Sequence, residues 1–476
     1  MRGIVWFRED LRTIDNKALH HAAKQCDDGV IAIYLLDPAM WKKHDVAACK
    51  VNFLLRGLAK LKENLAKLTI HFIVVKIDEG ANIPELIRGL LTDCKAQALF
   101  FNRQYEYDEL SRDQAVQQLL AKNALESFAF DDKVILAPGT IKNLQGQDYQ
   151  IFTAYKQAWL KHFREQTIKP YPTPKAQKFI EIALKSYPIP EKLPGFETTI
   201  DPDLWPIGQE AALRRLHRFV DNSLFQYHEI RDFPAQDGTS KLSPYLAAGM
   251  ISPRQCFLSA LEVNNNEMDS GNQGATTWLT ELIWREFYQH ILIAAPRVSK
   301  HQAYQQNTDK IRWDFNKNQL QAWQEGQTGY PIIDAAMRQL NTTGWMHNRL
   351  RMVVAMFLTK NLFFDWRLGE KYFISHLIDG DLAANNGGWQ WSASTGTDSA
   401  PYFRIFNPVR QSERFDPEGK FILQYCPELK GFDKKSIHDP HTSLPLIAEL
   451  QGYPYPIVAL RSKREKVIAA YKKVSA

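Results

Sequence analysis

VIAIYLL, at Val30–Leu36, is a run of seven apolar residues without the alternation of a half-buried strand. This pattern is typical of a strand buried on both faces of a parallel sheet. Similar short runs occur at Gly3–Phe7, Ile70–Val75, Ala98–Asn102 and Ser127–Phe130. Helical segments separate them, at Ala18–Lys24, Val51–Leu68, Ile83–Cys94 and Leu110–Asn123. The alternation predicts a doubly wound α/β domain, with ligands expected beyond the carboxyl ends of its strands.

The composition changes after this region. Lys161–Ile200 contains six prolines, with seven Lys and Arg against four Glu, which predicts an extended connector. From about Trp205 the strand signal is replaced by helical periodicity. Predicted helices lie at Gln209–Asn222, Ser252–Asn264, Thr276–Ala294, Pro331–Leu340, His347–Leu362 and Lys371–Ile378, and a basic, solvated helix is expected at Leu460–Ala476. We therefore predict an α/β domain at residues 1–130, a connector at 131–204 and an all-helical domain at 205–476.

Composition limits the function classes. The chain has 476 residues, 45% of them hydrophobic and 24% charged, with a net charge of +6 that is compatible with nucleic-acid binding. No apolar run is long enough to span a bilayer, and Met1–Arg8 does not resemble a signal peptide. The five cysteines have no ligand spacing, so we expect a cytoplasmic protein without disulfides or a metal site. The usual nucleophile, zinc and P-loop motifs are not found, which favours chemistry carried by a cofactor.

Asp379–Asn407, DGDLAANNGGWQWSASTGTDSAPYFRIFN, has few aliphatic residues and many Gly, Asn, Asp, Ser, Thr and Trp. Asp and Asn side chains here suit the edge of a heteroatom-rich ring, and Trp389 and Trp391 offer stacking planes. An Asx- and Gly-rich surface loop would have a similar composition. The stretch alone leaves both interpretations open.

Two predicted helices divide their faces in the same way. In Trp278–Ile291, an apolar side is formed by Leu279, Leu282, Ile283 and Phe287, and the other side carries Glu281, Trp284, Arg285 and Tyr288. In His347–Leu362, a side containing Asn348, Arg349 and Met352 lies beside an apolar stripe. A pocket floor for a planar polar ligand is one interpretation, and a surface face with a Glu281–Arg285 ion pair is the other. Gly238–Ser243 is rich in hydroxyl groups and suits either a phosphate contact or an ordinary helix cap.

The chain resembles the photolyase/cryptochrome family, and most closely its class I cyclobutane pyrimidine dimer photolyases. The motifs that carry this resemblance are YHEIRDFP (Tyr227–Pro234), GTSKLSPYLAAG (Gly238–Gly249), WLTELIWREFY (Trp278–Tyr288), AWQEGQTGYPIIDAAMRQL (Ala322–Leu340), TGWMHNRLRM (Thr343–Met352) and the stretch Asp379–Pro408. The resemblance implies an N-terminal α/β domain, a connector and a helical domain that holds FAD. It also implies light-driven repair of pyrimidine dimers in DNA by electron transfer from the reduced cofactor, FADH⁻, to a flipped-out dimer.

The same resemblance assigns residues to each part of the site. The FAD-binding residues would be Tyr227, Thr239, Ser240, Lys241, Leu242, Ser243, Trp278, Arg285, Arg351, Asp379, Asp381 and Asn385, with Arg351 as the ion partner of Asp379 and Asn385 at the flavin N5. The substrate and its DNA would contact Arg231, Glu281, Trp284, Tyr288, Asn348, Arg349, Met352, Trp391 and Gln411. Trp389, Trp366 and Trp313 would form a tryptophan chain that photoreduces the flavin. Their separations fit no single helix.

An antenna chromophore is also implied. Asp108, Glu109 and Lys300 resemble a methenyltetrahydrofolate site, although some relatives carry a deazaflavin. Lys241 stands where relatives frequently have Arg, which keeps the charge but loses the bidentate geometry. The alternatives are a cryptochrome photoreceptor, which usually has a C-terminal extension, and a (6-4) photoproduct photolyase, which relies on histidines where this chain has Met352. We expect a monomer that binds damaged DNA, without a membrane or a protein partner.

Overall fold

The computed structural model describes Met1–Ser475, and within it the chain forms two compact units that are discontinuous in sequence. The first unit contains Met1–Thr198, Pro202–Phe225 and Ser240–Pro296. The second contains Thr199–Asp201, Gln226–Thr239 and the chain from Arg297 onwards. No helix in the described part of the chain is both long and apolar enough to cross a membrane.

A five-stranded parallel sheet forms the centre of the first unit. Its strands are β1 (Gly3–Phe7), β2 (Val30–Leu36), β3 (His71–Lys76), β4 (Ala98–Asn102) and β5 (Glu126–Phe130), in the order β3-β2-β1-β4-β5. Gly3 pairs with Val30 on one side and with Ala98 on the other. β1 and β4 are buried along their whole length, as expected for a sheet covered on both faces. The predicted doubly wound sheet is confirmed.

Helices surround this sheet and extend the first unit. They are α1 (Lys17–Gln25), α2 (Pro38–Lys43), α3 (Ala48–Ala66), α4 (Ile83–Asp93), α5 (Tyr107–Lys122), α6 (Phe152–Arg164), α7 (Gln209–Asn222), α9 (Ser243–Ala247), α10 (Pro253–Val263) and α11 (Gln273–Ala294). α10 begins with a capping box in which Ser252 and Gln255 satisfy each other's backbone N–H groups.

The second unit is helical in its described residues, apart from isolated β-bridges such as Asp314–Phe364. Its helices are α8 (Tyr227–Ile230), α12 (Lys317–Glu325), α13 (Pro331–Thr343), α14 (Asn348–Met356), α15 (Trp366–Ile374), α16 (Leu382–Ala393), α17 (Pro408–Phe415), α18 (Lys420–Tyr425), α19 (Pro440–Ser443), α20 (Pro445–Leu450) and α21 (Arg464–Ser475). A π-helical turn, Phe357–Asn361, follows α14 directly. The predicted change to helical structure is confirmed.

Three sequence-based predictions were wrong in detail. The connector was predicted from Lys161, but α6 continues to Arg164, since its buried aromatic residues outweigh the local charge. The helix predicted at Lys371–Ile378 begins five residues earlier, at Trp366. The Asp365 side chain caps this helix by accepting a hydrogen bond from the Arg367 N–H. The C-terminal helix is not simply solvated, since Val467 and Tyr471 are buried.

Candidate functional site

The polar stretch that begins at Asp379 contains a twelve-residue helix, α16. Asp381 is the N-cap of α16, and its side chain accepts a hydrogen bond from the Ala384 N–H at 3.0 Å. The helix places Asn385 and Trp389 in buried positions and Trp391 in a half-buried one. The surface-loop interpretation of this segment is therefore wrong, because Asn385, Asn386, Gln390 and Ser392 are buried in a packed helix.

Asp379 carries the clearest ligand-binding signal. One of its carboxylate oxygens accepts from Arg351 Nη2 at 2.7 Å, so the expected ion pair is present. The other, Oδ1, is buried and has no partner among the described residues. Leaving a buried acceptor unsatisfied costs about 1–3 kcal/mol. An N–H donor from a bound ring would satisfy it.

Asn385 has a fixed amide orientation. Its Nδ2 donates to the backbone oxygen of Glu370 at 2.9 Å, so its Oδ1 points away from that carbonyl. The Glu370 carboxylate in turn accepts from Asn386 Nδ2 at 2.8 Å and lies 3.0 Å from His301 Nδ1. Glu370 is buried and anchors two consecutive residues of α16. Nothing in its sequence context distinguishes Glu370, since it lies in an ordinary amphipathic helix.

The three predicted tryptophans lie on different elements of the second unit. Trp389 is on α16, Trp366 begins α15, and Trp313 lies outside the helices. Trp366 and Trp389 are buried in one apolar core, and the partly exposed Trp313 packs against the same core. Trp323, which was not among the predicted tryptophans, contacts Trp389 with ring centroids 6.0 Å apart.

Residues predicted to face the substrate occur in both units. In the second, Arg349 forms a two-point ion pair with Asp232, with Nη2–Oδ2 at 2.8 Å and Nε–Oδ1 at 3.2 Å. Its Nη1 lies 3.8 Å from Met352 Sδ.

The guanidinium of Arg231 lies 5.2 Å from the centre of the Tyr227 ring. Asp232 was missed because an Asp between Arg and Phe has no distinctive pattern. Asn348 is exposed, and Gln411 is half-buried on α17.

In the first unit, α11 has the predicted division of faces. Leu279, Ile283 and Phe287 are buried, whereas the side with Glu281, Trp284, Arg285 and Tyr288 is half-buried. Trp284 stacks on Phe152 with centroids 3.5 Å apart and an interplanar angle of 9°. Arg285 Nη1 donates to the backbone oxygen of Lys133 at 2.7 Å. Trp278 is buried and packs on Phe219 at 5.0 Å.

The residues of the hydroxyl-rich segment are assigned to different units. Thr239 belongs to the second unit, and Ser240, Lys241, Leu242 and Ser243 belong to the first. Lys241 adopts a left-handed conformation with φ of 49°. The Ser240 hydroxyl accepts from the Leu242 N–H at 3.4 Å, and Ser243 begins α9. Thus the segment is a turn leading into a short helix.

The predicted antenna residues at the start of α5 are close together. Asp108 pairs with Lys43 at 2.6 Å, and His44 Nε2 lies 4.0 Å from Glu109 Oε1. Glu109 Oε2 is buried and has no partner among the described residues. Burial and the neighbouring Glu106 raise the pKa of Glu109 to about 7. Lys300 belongs to the other unit and is exposed.

A narrow polar cleft lies beyond the carboxyl ends of β1 and β4. These strands are adjacent at the point where the strand order reverses, which is where doubly wound sheets bind ligands. The cleft is lined by charged and polar groups that include Glu9, Arg12, Asn102, Lys133 and Arg285. Glu9 is itself paired with Lys50 at 2.8 Å and with Lys133 at 3.1 Å.

Comparison with known proteins gives matches along nearly the whole chain. Residues 278–473 match the FAD binding domain of DNA photolyase, and residues 3–175 match the family described as DNA photolyase. The chain is 45% identical over 470 residues to the deoxyribodipyrimidine photo-lyase of Salmonella typhimurium, covering 98% of each chain. The chain belongs to the DNA photolyase family. It therefore contains an FAD-binding domain of the photolyase type.

Solved structures of photolyases agree with this membership. A class III photolyase from Agrobacterium tumefaciens matches with a TM-score of 0.89 at 33% identity, over 100% of this chain and 98% of that one. An archaeal photolyase from Sulfolobus tokodaii with two FAD molecules matches with a TM-score of 0.83 at 32% identity, over 99% and 100%. A cryptochrome from Synechocystis matches at 0.88 and 27%, over 99% of both chains. The fold is thus common to repair enzymes and cryptochromes.

The donor set in this photolyase chain fits a flavin. The unpartnered Oδ1 of Asp379 can accept a hydrogen bond from a ligand, and the neighbouring Arg351 supplies a positive charge. The Asn385 amide oxygen is directed away from its anchor on Glu370. An amide here offers a hydrogen bond without adding a second negative charge, which a carboxylate would.

Proposed function

We propose that this chain is a deoxyribodipyrimidine photo-lyase, which uses light to repair cyclobutane pyrimidine dimers in DNA. The observation that carries the proposal is the 45% identity to the Salmonella typhimurium enzyme over 98% of both chains. FAD is the cofactor. When bound in its reduced, excited form, it supplies the electron that opens the cyclobutane ring and that afterwards returns, without net redox change.

The chain's own residues are proposed to bind the FAD cofactor and to orient it. Arg351, Asp379, Asp381 and Asn385 from the second unit, with Tyr227 and the Thr239–Ser243 turn, are proposed to hold FAD together with Trp278 and Arg285. The Arg351–Asp379 ion pair supports this proposal because it fixes the carboxylate while leaving one oxygen available. The helical FAD-binding region is proposed to span residues 205–476, after an antenna-binding domain at 1–130 and a connector at 131–204.

The substrate dimer is proposed to contact residues from α11, α14 and α16. Phe152 stacks on Trp284, and Phe287 and Tyr288 contact the same indole. An unstacked base is proposed to pack against the part of this half-buried ring that stays exposed. Glu281 would accept hydrogen bonds from a pyrimidine edge. Asn348, Arg349, Met352, Tyr288 and Trp391 would complete the wall, and Arg231 and Gln411 would contact the DNA backbone.

Glu281→Ala provides the test of this assignment. Loss of a hydrogen bond to a charged group costs about 1.5–3 kcal/mol, so we expect light-dependent repair of a thymine-dimer oligonucleotide to slow roughly tenfold or more. The absorption of bound flavin should stay unchanged. Glu262→Ala, at an exposed position of α10, is the matched control. An unchanged repair yield would contradict the role of Glu281, and repair by the wild type in the dark would contradict the proposed function itself.

The antenna is proposed to be a methenyltetrahydrofolate-type pterin at Asp108 and Glu109, with Lys300 as a further contact. The unpartnered Oε2 of Glu109 supports this, since a pterin amino group is a suitable donor. The alternative is a flavin-type antenna. A second FAD is described for the Sulfolobus tokodaii photolyase.

The antenna proposal predicts a dependence on pH. Burial raises the pKa of Glu109 to about 7, and a bound donor favours the ionised carboxylate. Antenna affinity should therefore be highest above pH 7 and fall as the pH drops below that value. Glu109→Gln should remove this dependence and weaken retention, whereas Glu126→Gln, exposed on β5, should not. Mass spectrometry of the released chromophore measures both effects. A flavin in place of a pterin would contradict the folate assignment.

The same chemistry suggests where the protein works. Its substrate is DNA, and its five cysteines suit a reducing compartment, so the proposed location is the cytoplasm. It is proposed to act as a monomer.

A further inference from the structure

Asp232 is an acidic residue that lies between two arginines of the second unit. Its carboxylate accepts two hydrogen bonds from Arg349, from Nη2 at 2.8 Å and from Nε at 3.2 Å. The Nε of Arg231 lies 3.9 Å from Oδ1 of the same carboxylate. Both arginines are proposed to contact the damaged DNA. A carboxylate weakens the attraction between such a surface and phosphate, so its presence here needs a reason.

Stability does not account for the ion pair between Asp232 and Arg349. Both side chains are partly open to solvent, with 33% of Asp232 and 18% of Arg349 exposed. An ion pair with this exposure contributes little to the free energy of folding, because water and salt screen it. The properties that Asp232 does change are the charge and the direction of the Arg349 guanidinium.

The Arg349 guanidinium is held by three neighbours. Asp232 occupies the edge formed by Nε and Nη2. The centre of the Phe415 ring lies 4.5 Å from the guanidinium carbon, and Met352 Sδ lies 3.8 Å from Nη1. The other edge, between Nη1 and Nη2, meets no carboxylate in the described part of the chain, and a thioether is only a weak acceptor. This edge can therefore present two parallel N–H groups to two oxygens of a ligand.

Two arginines of α17 provide a contrast within the same unit. Arg410 and Arg414 are exposed, and neither pairs with a carboxylate among the described residues. The Arg414 guanidinium lies 5.1 Å from the centre of the Phe415 ring, which also contacts Arg349. Unpaired surface arginines attract any phosphate backbone, whether the DNA is damaged or not. Arg349 differs from them because its charge is neutralised and its direction is fixed.

We propose that Asp232 determines specificity for damaged DNA by converting Arg349 from a general phosphate attractor into a directed hydrogen-bond donor. This inference rests on the proposed function, since it requires Arg349 to contact the strand that carries the dimer. Neutralisation by Asp232 lowers the affinity for undamaged duplex, to which backbone charge is the main attraction. The second edge of Arg349 adds affinity only where two oxygens of the distorted strand meet it.

Equilibrium binding in the dark measures this specificity without repairing the substrate. The probes are a fluorescein-labelled duplex with one central thymine dimer and the same duplex without the dimer. Asp232→Asn should bind the undamaged duplex more tightly than the wild type does. Its salt slope should be steeper by about one, so between about 50 and 200 mM salt its affinity should fall about three- to fourfold more. The ratio of the affinities for damaged and undamaged duplex should fall about fivefold or more, which is the lower end of what a bidentate contact contributes to discrimination.

Glu229→Gln is the matched control for the loss of a negative charge. Glu229 lies on α8, close to Asp232 in sequence, and 68% of its side chain is exposed. Its affinity ratio should stay within about twofold of the wild type, because the change leaves the Asp232–Arg349 pair intact. An Arg349→Met background provides a second control. Asp232→Asn should not change the affinity ratio of that background, since no guanidinium is left to orient.

A purely structural ion pair would give a different result. Its loss would weaken binding to both duplexes alike and lower the stability towards urea, with an unchanged salt slope. That pattern, or an unchanged affinity ratio in Asp232→Asn, would overturn the proposal. Light-dependent repair of the dimer duplex by the wild type tests the proposed function separately. If the wild type repairs the dimer and Asp232→Asn keeps full discrimination, only the role of Asp232 is contradicted, whereas a wild type without repair contradicts the proposed function.

Discussion

Gly369→Ala is expected to remove most of the light-driven reduction of the flavin. A Cβ at this position of α15 would lie 2.0 Å from Trp389 Cη2, 2.4 Å from Cζ3 and 2.6 Å from Cζ2. The indole cannot easily move away, since it is 2% exposed and packs against Trp323 at 6.0 Å and Phe373 at 5.0 Å. Electron transfer decays exponentially with distance. A displaced Trp389 would therefore slow the first step of photoreduction through the predicted tryptophan chain.

Gly369→Ala should also change the free energy of unfolding, and the sign of this change can be measured independently. In an open helical position, alanine is more favourable than glycine by about 1 kcal/mol. At Gly369 overpacking should reverse the sign and destabilise the second unit by about 1–3 kcal/mol. Gly89→Ala on α4, where an added Cβ has no neighbour within 4 Å, is the matched control and should be neutral or stabilising.

A double variant separates displacement from simple unfolding. Gly369→Ala combined with Trp389→Phe should recover stability, because the smaller ring makes room for the new methyl group. It should not recover photoreduction, which needs the indole. Flash photolysis and urea denaturation measure the two properties. Normal photoreduction in the single variant would contradict the placement of Trp389 as the first donor.

The sheet was predictable because its signal is local. Each strand is a short apolar run, and burial on both faces removes the alternation that would otherwise be expected, as at Val30–Leu36. The site helices α11 and α14 were predictable for a related reason, since a divided helical face repeats every three to four residues. α16 was not, because its Asn, Gly and Trp residues obscure helical periodicity. The cap at Asp381 is its main local signal.

The buried charges were not predictable. Glu370, Glu286 and Lys360 each occupy a position where a charged side chain normally faces solvent. Their partners are backbone groups or side chains far away in sequence, as with Glu370 and His301, which are 69 positions apart. Only the folded chain shows that these residues are buried. Motif resemblance identifies groups that contact ligands more readily than groups that hold them in place.

Glu286→Ala is expected to give the largest loss of stability in the first unit. The carboxylate is 1% exposed and accepts three hydrogen bonds, from the Ile135 N–H at 2.6 Å, the Leu136 N–H at 2.9 Å and Trp159 Nε1 at 2.6 Å. Alanine leaves all three donors buried without an acceptor. Removing one partner of a buried charged network costs about 3–5 kcal/mol. Glu286→Gln keeps one oxygen as an acceptor, so its loss of unfolding free energy should be roughly half as large.

Hydrogen exchange at the Ile135 and Leu136 amides reports this change directly. Both amides should exchange much faster in Glu286→Ala, while β1 and β4 keep their protection. The effect should extend to repair, because Glu286 lies on the same helix as Glu281 and Trp284 and ties that helix to Ile135, Leu136 and α6. Glu262→Gln on α10 controls for the loss of a charge alone. If the two amides stayed protected in Glu286→Ala, the carboxylate would not be what orders this segment, and α11 would have to be positioned by apolar packing.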